Sequence, residues 1–286
     1  MTRQRTMTGS KARRPPLPDH GDPPTPAPAG EGGPAWRGMP DLARCALFLD
    51  LDGTLAPIAS GPETASVPSS TIALLRRLAP ATDGALAVVS GRTIETVDRL
   101  LHPLRVPVAG LHGAQWRGPD GQVSAVPMDR ERAARLLARL RAIAAGHAGT
   151  RVEDKDISFA IHYRQAPGRE SRIRREVAEA AAAFEPDYVL QFGKMVAEVR
   201  PRGADKGNAI ERFMAIAPFS SRLPVMAGDD LTDEAAFATV ARLGGVSIKI
   251  GGGDTSASWR LSDPAALAGW LDSLLAQSPA SAPPHG

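Results

Sequence analysis

The sequence predicts an α/β protein, a doubly wound parallel sheet split by an inserted α+β segment. Three observations carry that prediction. Up to about residue 113, short apolar runs ending in Gly, Ser or acidic residues alternate with segments of helical period. Between 114 and 200 the texture changes to hairpins and an alternating strand, accompanied by two helices. After Pro201 the first pattern returns. One Rossmann-like core interrupted once is the simplest chain path with that order.

Each element has its own signal. Ala46-Leu47-Phe48-Leu49 is an apolar run of the kind that forms a buried parallel strand. Residues 69–78 form a helix with Ile72, Leu75 and Leu78 on one face. Residues 85–89 are a second buried strand, closed by Ser90-Gly91-Arg92, and 94–101 a second helix. Residues 106–109 are a third strand. Gly118-Pro119-Asp120-Gly121 is a turn between two short extended runs, hence a hairpin. Residues 129–145 read as a long helix, with Ala133, Leu136, Leu137, Leu140 and Ile143 aligned. Residues 157–164 alternate, with Ile157, Phe159, Ile161 and Tyr163 opposite Ser158, Ala160, His162 and Arg164. A helix over 169–184 follows, then strands 188–192 and 195–199 flanking Gly193-Lys194. Helices over 207–216, 232–242 and 264–275 then alternate with strands 224–227 and 246–250.

This divides the chain into a disordered Pro/Gly-rich tail (1–38), a core (39–113 with 201–276), an inserted cap (114–200) and a second disordered tail (277–286). Lys and Arg number 34 against 31 Asp and Glu, a net charge of +3. Residues 1–38 alone hold six basic and three acidic groups, so the rest of the chain is balanced. That argues against a nucleic-acid-binding surface on the folded body. No apolar run reaches the roughly 20 residues of a membrane helix, and no signal-peptide apolar region opens the chain. The single cysteine, Cys45, excludes an internal disulfide and points to a reducing cytoplasm.

Asp50-Leu51-Asp52-Gly53-Thr54 lies at the carboxyl end of the first strand, where open α/β sheets bind ligands. If the extended conformation continues, Asp50 and Asp52 fall on one side. Close carboxylates repel unless a cation or a shared proton relieves them, which makes a magnesium site a reasonable expectation. One carboxylate can then attack an electrophile while the other moves a proton. Alone, the same residues fit a solvated acidic turn. They are not alone. Gly228-Asp229-Asp230 closes another buried strand, and Asp233 follows in the next helical turn, although helix capping would also account for these acids. Ser90 ends a third strand and can hydrogen-bond a phosphate, or serve as a turn serine. Lys206 precedes a helix that begins at Gly207, where a cation is unfavourable without an anionic partner, or is a plain surface lysine.

Taken in order, Asp50-x-Asp52-Gly53-Thr54, Ser90, Lys206 and Gly228-Asp229-Asp230-x-Thr232-Asp233 resemble the four motifs of the haloacid dehalogenase-like phosphatases. The resemblance runs from about 45 to 275. It implies that Asp50 is the nucleophile, Asp52 the general acid/base, and Ser90 and Lys206 the holders of phosphate. It also implies Mg²⁺ on Asp50, the Asp52 carbonyl and Asp229, with Asp230 and Asp233 in support. Ser90 and Lys206 stand far further apart than the dozen or so residues a crossover needs, which resembles the large α/β cap type of that superfamily.

Within the cap, Val152-Glu153-Asp154-Lys155, Ser158, His162-Tyr163-Arg164 and Gly193-Lys194-x-x-x-Glu198-x-Arg200-Pro201 are similar to the trehalose-6-phosphate phosphatases. So is Gly110-Leu111-His112-Gly113-Ala114, although Gln115 stands where that family usually has Glu. The implied substrate contacts are Thr54, Arg92, His112, Glu153, Lys155, Ser158, His162, Arg164, Lys194 and Glu198. Alternation alone also fits the solvent face of a sheet. The implied activity is Mg²⁺-dependent hydrolysis of trehalose 6-phosphate, with a functional link to a trehalose-phosphate synthase. The alternatives are a phosphatase for sucrose 6-phosphate or mannosyl-phosphoglycerate, a phosphomutase, and a non-catalytic sugar-phosphate sensor.

Overall fold

A computed structural model describes residues 41–58, 64–193 and 195–277. The two expected tails, except Gln277, and Lys194 lie outside these residues. The large sheet begins with β1 (Cys45–Leu49), β2 (Leu86–Val89) and β3 (Val108–Gly110), alternating with α1 (Ser69–Ala81) and α2 (Ile94–Leu101). Next come β4 (Gln115–Arg117), β5 (Val123–Ala125), α3 (Arg130–Ala145), β6 (Arg151–Asp154) and β7 (Phe159–His162). They are followed by α4 (Glu170–Ala182), β8 (Tyr188–Gly193) and β9 (Val196–Pro201). The chain ends through α5 (Lys206–Met214), β10 (Leu223–Gly228), α6 (Glu234–Arg242), β11 (Val246–Ile250), β12 (Trp259–Leu261) and α7 (Pro264–Gln277).

Eight strands pair in the order β12-β11-β10-β1-β2-β3-β4-β5, parallel from β12 to β3. β1 is central because all five of its residues are buried, and its side chains supply both faces. Cys45, Leu47 and Leu49 enter one apolar cluster with Leu75, Leu78, Val225 and Leu271. Ala46 and Phe48 enter the other, with Phe213, Phe219 and Phe237. Burying a side chain such as Phe48 contributes about 1.5–3 kcal/mol. Strand order reverses between β1 and β10, whose Leu49 and Ala227 are in register. Such a reversal opens a crevice at the carboxyl ends of the strands. This is an α/β, Rossmann-like fold, as the apolar runs predict.

The smaller sheet, β6-β7-β9-β8, is antiparallel throughout. Its core is Leu136 and Leu140 of α3, Ile173 and Val177 of α4, and Phe159, Ile161, Tyr163 and Val199. Two expectations change here. The β4–β5 hairpin, assigned by its turn to the insert, continues the large sheet from the edge of β3. The chain therefore leaves that sheet after Ala125 rather than at 114. Ser158 and Ala160, on the face expected to be polar, are as buried as Phe159 and Ile161. Small side chains there are buried on both faces of the strand rather than marking a solvent face.

Candidate active site

β1 stops at Leu49, and Asp50 stays tied to the neighbouring strand by donating its N–H to Ala227 O at 3.0 Å. Its carboxylate is buried beside β10. Lys206, the first residue of α5, reaches it at 2.8 Å and Asp233 at 2.7 Å. This lysine is buried, not at the surface. Asp205 caps α5 by accepting from Asn208 N, which fixes the helix start and so the root of Lys206. Asp50, Asp229 and Asp233 each offer an oxygen, all within 4.8 Å of one another. The backbone at Gly53 makes this possible. Its φ is +80°, and a Cβ there would lie 2.0 Å from an oxygen of Asp229, so only glycine lets the chain pass beneath that carboxylate.

The three acids are not equivalent. Asp233 is fully buried. One of its oxygens accepts from Lys206, and the other accepts the N–H groups of Asp229 and Asp230 at 3.0 and 3.1 Å. It therefore shapes the 228–230 loop and holds the lysine. Asp230 turns its oxygen to the N–H and hydroxyl of Thr232, a capping interaction. The capping role that accounts for acids after a strand is thus real for these two, which leaves Asp229 and Asp50, the latter held at one oxygen by Lys206, to face the site. Burial pushes Asp50 well above the ordinary carboxylate range; Lys206 opposes this, while Asp233 and Asp229 reinforce it. Burial, then Asp230 and Asp233, push Asp229 up to about 7. Lys206 is shifted upward even though burial opposes its charge, because Asp233 and Asp50 surround it. An all-oxygen set with surplus negative charge fits a hard divalent cation.

Asp52 stands apart. The chain turns after Leu49, and the extended run that would align Asp52 with Asp50 does not continue. Its carboxylate is half-exposed and takes both Nε and Nη2 of Arg92, at 2.6 and 2.7 Å. It is not in the three-acid cluster. That pair raises the Arg92 guanidinium further, against its burial. Ser90 is buried, and its Oγ accepts from Arg92 N at 3.1 Å. Thr54 is fully buried, and its hydroxyl has no partner among the described residues.

Across from this lies the small sheet. Glu153, Ala160 and Glu198 are cross-strand neighbours in β6, β7 and β9. Glu153 meets His162 at 2.8 Å. Glu198 meets Lys155 at 3.1 Å, Ser158 at 3.5 Å and His112 Nε2 at 3.2 Å. Burial alone would raise the Glu198 carboxyl, but His112 and Lys155 hold it well below its ordinary range. The hydrogen bond from His162 lowers Glu153 against its burial. A cavity of about 720 Å³ spans the two sides, lined by Asp52, Gly91 and Arg92 below and by Arg151, Glu153 and Lys155 above.

The family model described as trehalose-phosphatase matches residues 48–265. The chain belongs to that family. It is 45% identical over 236 residues to the trehalose-6-phosphate phosphatase of Escherichia coli K12, covering 82% of this chain and 88% of that one. It is 33% identical over 237 residues to a bifunctional trehalose-6-phosphate synthase/phosphatase of Thermoproteus tenax, covering 80% of this chain and 31% of that protein. A solved structure described as a trehalose-6-phosphate phosphatase related protein superposes with a TM-score of 0.64 at 27% identity, covering 81% of this chain and 97% of that chain.

Of the residues that resemble the trehalose-phosphatase family, Asp52, Arg92, Glu153 and Lys155 line the cavity, and Glu198 and His112 join them through Lys155. Arg164 does not join them; it is exposed beyond the end of β7. Lys194 lies outside the described residues. Three side chains were missed. Lys249 in β11 is buried, and its ammonium donates to the backbone carbonyl of Asp229. A lysine inside an apolar strand, beside a strand that ends in acids, was the available signal. Arg151 and Arg99 line the cavity, and no sequence signal separates them from the other arginines. Gln115 accepts from Ile94 N at 3.2 Å, tying β4 to the start of α2 next to the Ser90–Arg92 turn.

Proposed function

We propose that this protein hydrolyses trehalose 6-phosphate to trehalose and phosphate through a phosphoryl group carried on Asp50. One observation carries the reading. A buried carboxylate held by a buried lysine closes β1, and two residues on from it Asp52, with Arg92, lines the cavity that Glu153 and Lys155 of the small sheet line from the other side, Lys155 being paired there with Glu198. The core below (41–125 and 202–277) does the chemistry, and the cap above (126–201) selects the sugar.

Asp50 attacks phosphorus, and the bond from phosphorus to the sugar oxygen breaks. Asp52 gives that oxygen its proton. Asp52 holds Arg92 by two hydrogen bonds, so an incoming phosphate that draws Arg92 away would release the Asp52 carboxyl toward the leaving oxygen. In the second half, Asp52 takes a proton from water, the water attacks phosphorus, and Asp50 leaves as a carboxylate. Ser90, Lys206 and the hydroxyl of Thr54 hold phosphate oxygens where charge builds up. Mg²⁺, held by Asp50, the Asp52 carbonyl and Asp229, would neutralise phosphate charge. Lys206 and Asp233 keep Asp50 and the 228–230 loop in place. In the cap, Glu153, Lys155, His162 and Glu198 offer a polar wall for sugar hydroxyls.

A synthase that makes trehalose 6-phosphate would supply the substrate, and a reducing cytoplasm suits the buried thiol of Cys45. Among the described residues no helix is long and apolar enough to cross a membrane. The test is phosphate release from a panel of sugar phosphates, with Mg²⁺ and with EDTA. Metal-dependent release greatest from trehalose 6-phosphate supports the reading. Equal turnover of sucrose 6-phosphate overturns the assignment of the cap.

A further inference from the structure

One segment touches the phosphate-binding turn, the start of α5 and the cap. It is the knuckle Leu111-His112-Gly113 that follows β3. Leu111 and His112 are consecutive non-glycine residues with φ of 49° and 55°. That left-handed conformation persists only where surrounding contacts impose it. Leu111 N donates to Arg92 O and His112 N to Ser90 O, both at 2.9 Å, which stitches the knuckle to the phosphate-binding turn. The Leu111 side chain is buried with Ile157 and Ala204, just before β7 and just after β9. A Cβ on Gly113 would lie 2.9 Å from the carbonyl of Asp205, so the knuckle also abuts the start of α5 and Lys206.

The imidazole of His112 is clamped between the two halves of the site. A Cβ on Gly91 would lie 2.6 Å from its ring, and its Nε2 is 3.2 Å from Glu198 Oε2. The other carboxylate oxygen of Glu198 goes to Lys155, a cap residue. Lys155 fixes Glu198 within the cap, and among the described residues it is His112 that ties Glu198 to the core.

We propose that His112 is a positioning residue that sets the cap carboxylate Glu198 in register with the phosphate-binding turn, coupling sugar recognition to phosphate placement. The inference rests on the sugar-phosphate reading above and names the residue that joins its two halves. A phosphorylated disaccharide uses both halves and needs that register. A small aryl phosphate uses only the turn.

The test compares His112→Asn and His112→Gln in the full chain with Mg²⁺, on trehalose 6-phosphate and on p-nitrophenyl phosphate. Asn suits a left-handed backbone but is too short to reach Glu198. Gln keeps an N–H donor near the reach of Nε2. His112→Asn is expected to lower kcat/KM for trehalose 6-phosphate about 10- to 100-fold more than for the aryl phosphate, the loss of one charge-assisted hydrogen bond. His112→Gln restores most of that discrimination, and His112→Asn adds nothing in a Glu198→Gln background. Equal losses on both substrates, or losses that multiply in the double variant, overturn the inference alone. A wild type that hydrolyses the aryl phosphate but not trehalose 6-phosphate overturns the substrate reading and the inference with it.

Discussion

The two halves of the cavity handle charge in opposite ways. At the ends of β1 and β10, Asp50, Asp229, Asp230 and Asp233 crowd around one buried lysine, with Lys249 beneath on a backbone carbonyl. Burial pushes two of the carboxylates upward, and the neighbouring acids add to it. In the cap, each carboxylate has its cation or imidazole at contact distance, and both are pulled downward. The core half brings more carboxylates together than its buried lysine can neutralise, which suits a divalent cation. In the cap half Glu153 and Glu198 already have hydrogen-bonded partners, an arrangement that suits an uncharged sugar. A buried group left short of partners marks the place for chemistry, and a satisfied network marks the place for selection.

The largest effect separating the halves is expected from Asp50→Asn. Turnover of every phosphate ester should fall on the order of 10⁴-fold or more, because the nucleophile is shared by all substrates. Steady-state phosphate release checks this, and retained turnover would remove Asp50 from the chemistry.

Charge surplus in the core also predicts a pH signature. Asp229 has its folded value raised from 3.8 to about 7, so it contributes stability below about pH 4 that is lost as pH rises through 7. Asp50 acts in the same direction. The melting temperature of the metal-free protein should therefore fall between pH 4 and 7. Mg²⁺ favours the ionised carboxylates, so it should flatten that slope and raise the melting temperature most near neutral pH, by roughly 5–10 °C at a hundred times its Kd. Calorimetry with EDTA and with Mg²⁺ reads both effects. A slope unchanged by the metal would mean that these acids are not its ligands.

A smaller effect belongs to the cap. Glu198→Gln should cost about 10- to 100-fold in kcat/KM for trehalose 6-phosphate, through lost charge-assisted hydrogen bonds. It should leave the pH slope of the metal-free melt in place. A loss of metal affinity in that variant would erase the division between the halves. The smallest effect is expected from Lys249→Met. It should weaken Mg²⁺ binding about tenfold by loosening Asp229 from behind, read by titration calorimetry.

The core was legible because buried parallel strands are written as apolar runs, and acids or serines at their ends stand out. β1, β2, β10 and β11 fall where those runs are, and Thr93 caps α2 where its period begins. Alternation within the β4–β5 hairpin carries no information on which sheet it joins, so its place on the large sheet was not readable. β6 reads Arg-Val-Glu-Asp and is half exposed, so no apolar signal marks it. β12 has three residues, too few for any period. At the site, the acids at the two strand ends were legible and their division of labour was not. Which oxygen of Asp233 meets Lys206, and that Asp52 turns to Arg92, depend on a backbone turn at Gly53 and a loop at 228–230. The sequence names the residues of those turns but not the direction of their side chains.

The most direct measurement is mass spectrometry of the protein acid-quenched during turnover of trehalose 6-phosphate with Mg²⁺. A single phosphoryl group on the peptide that contains Asp50, absent with EDTA, is the predicted result. Active turnover with no phosphoryl group on the protein, or with it on another residue, would contradict the account.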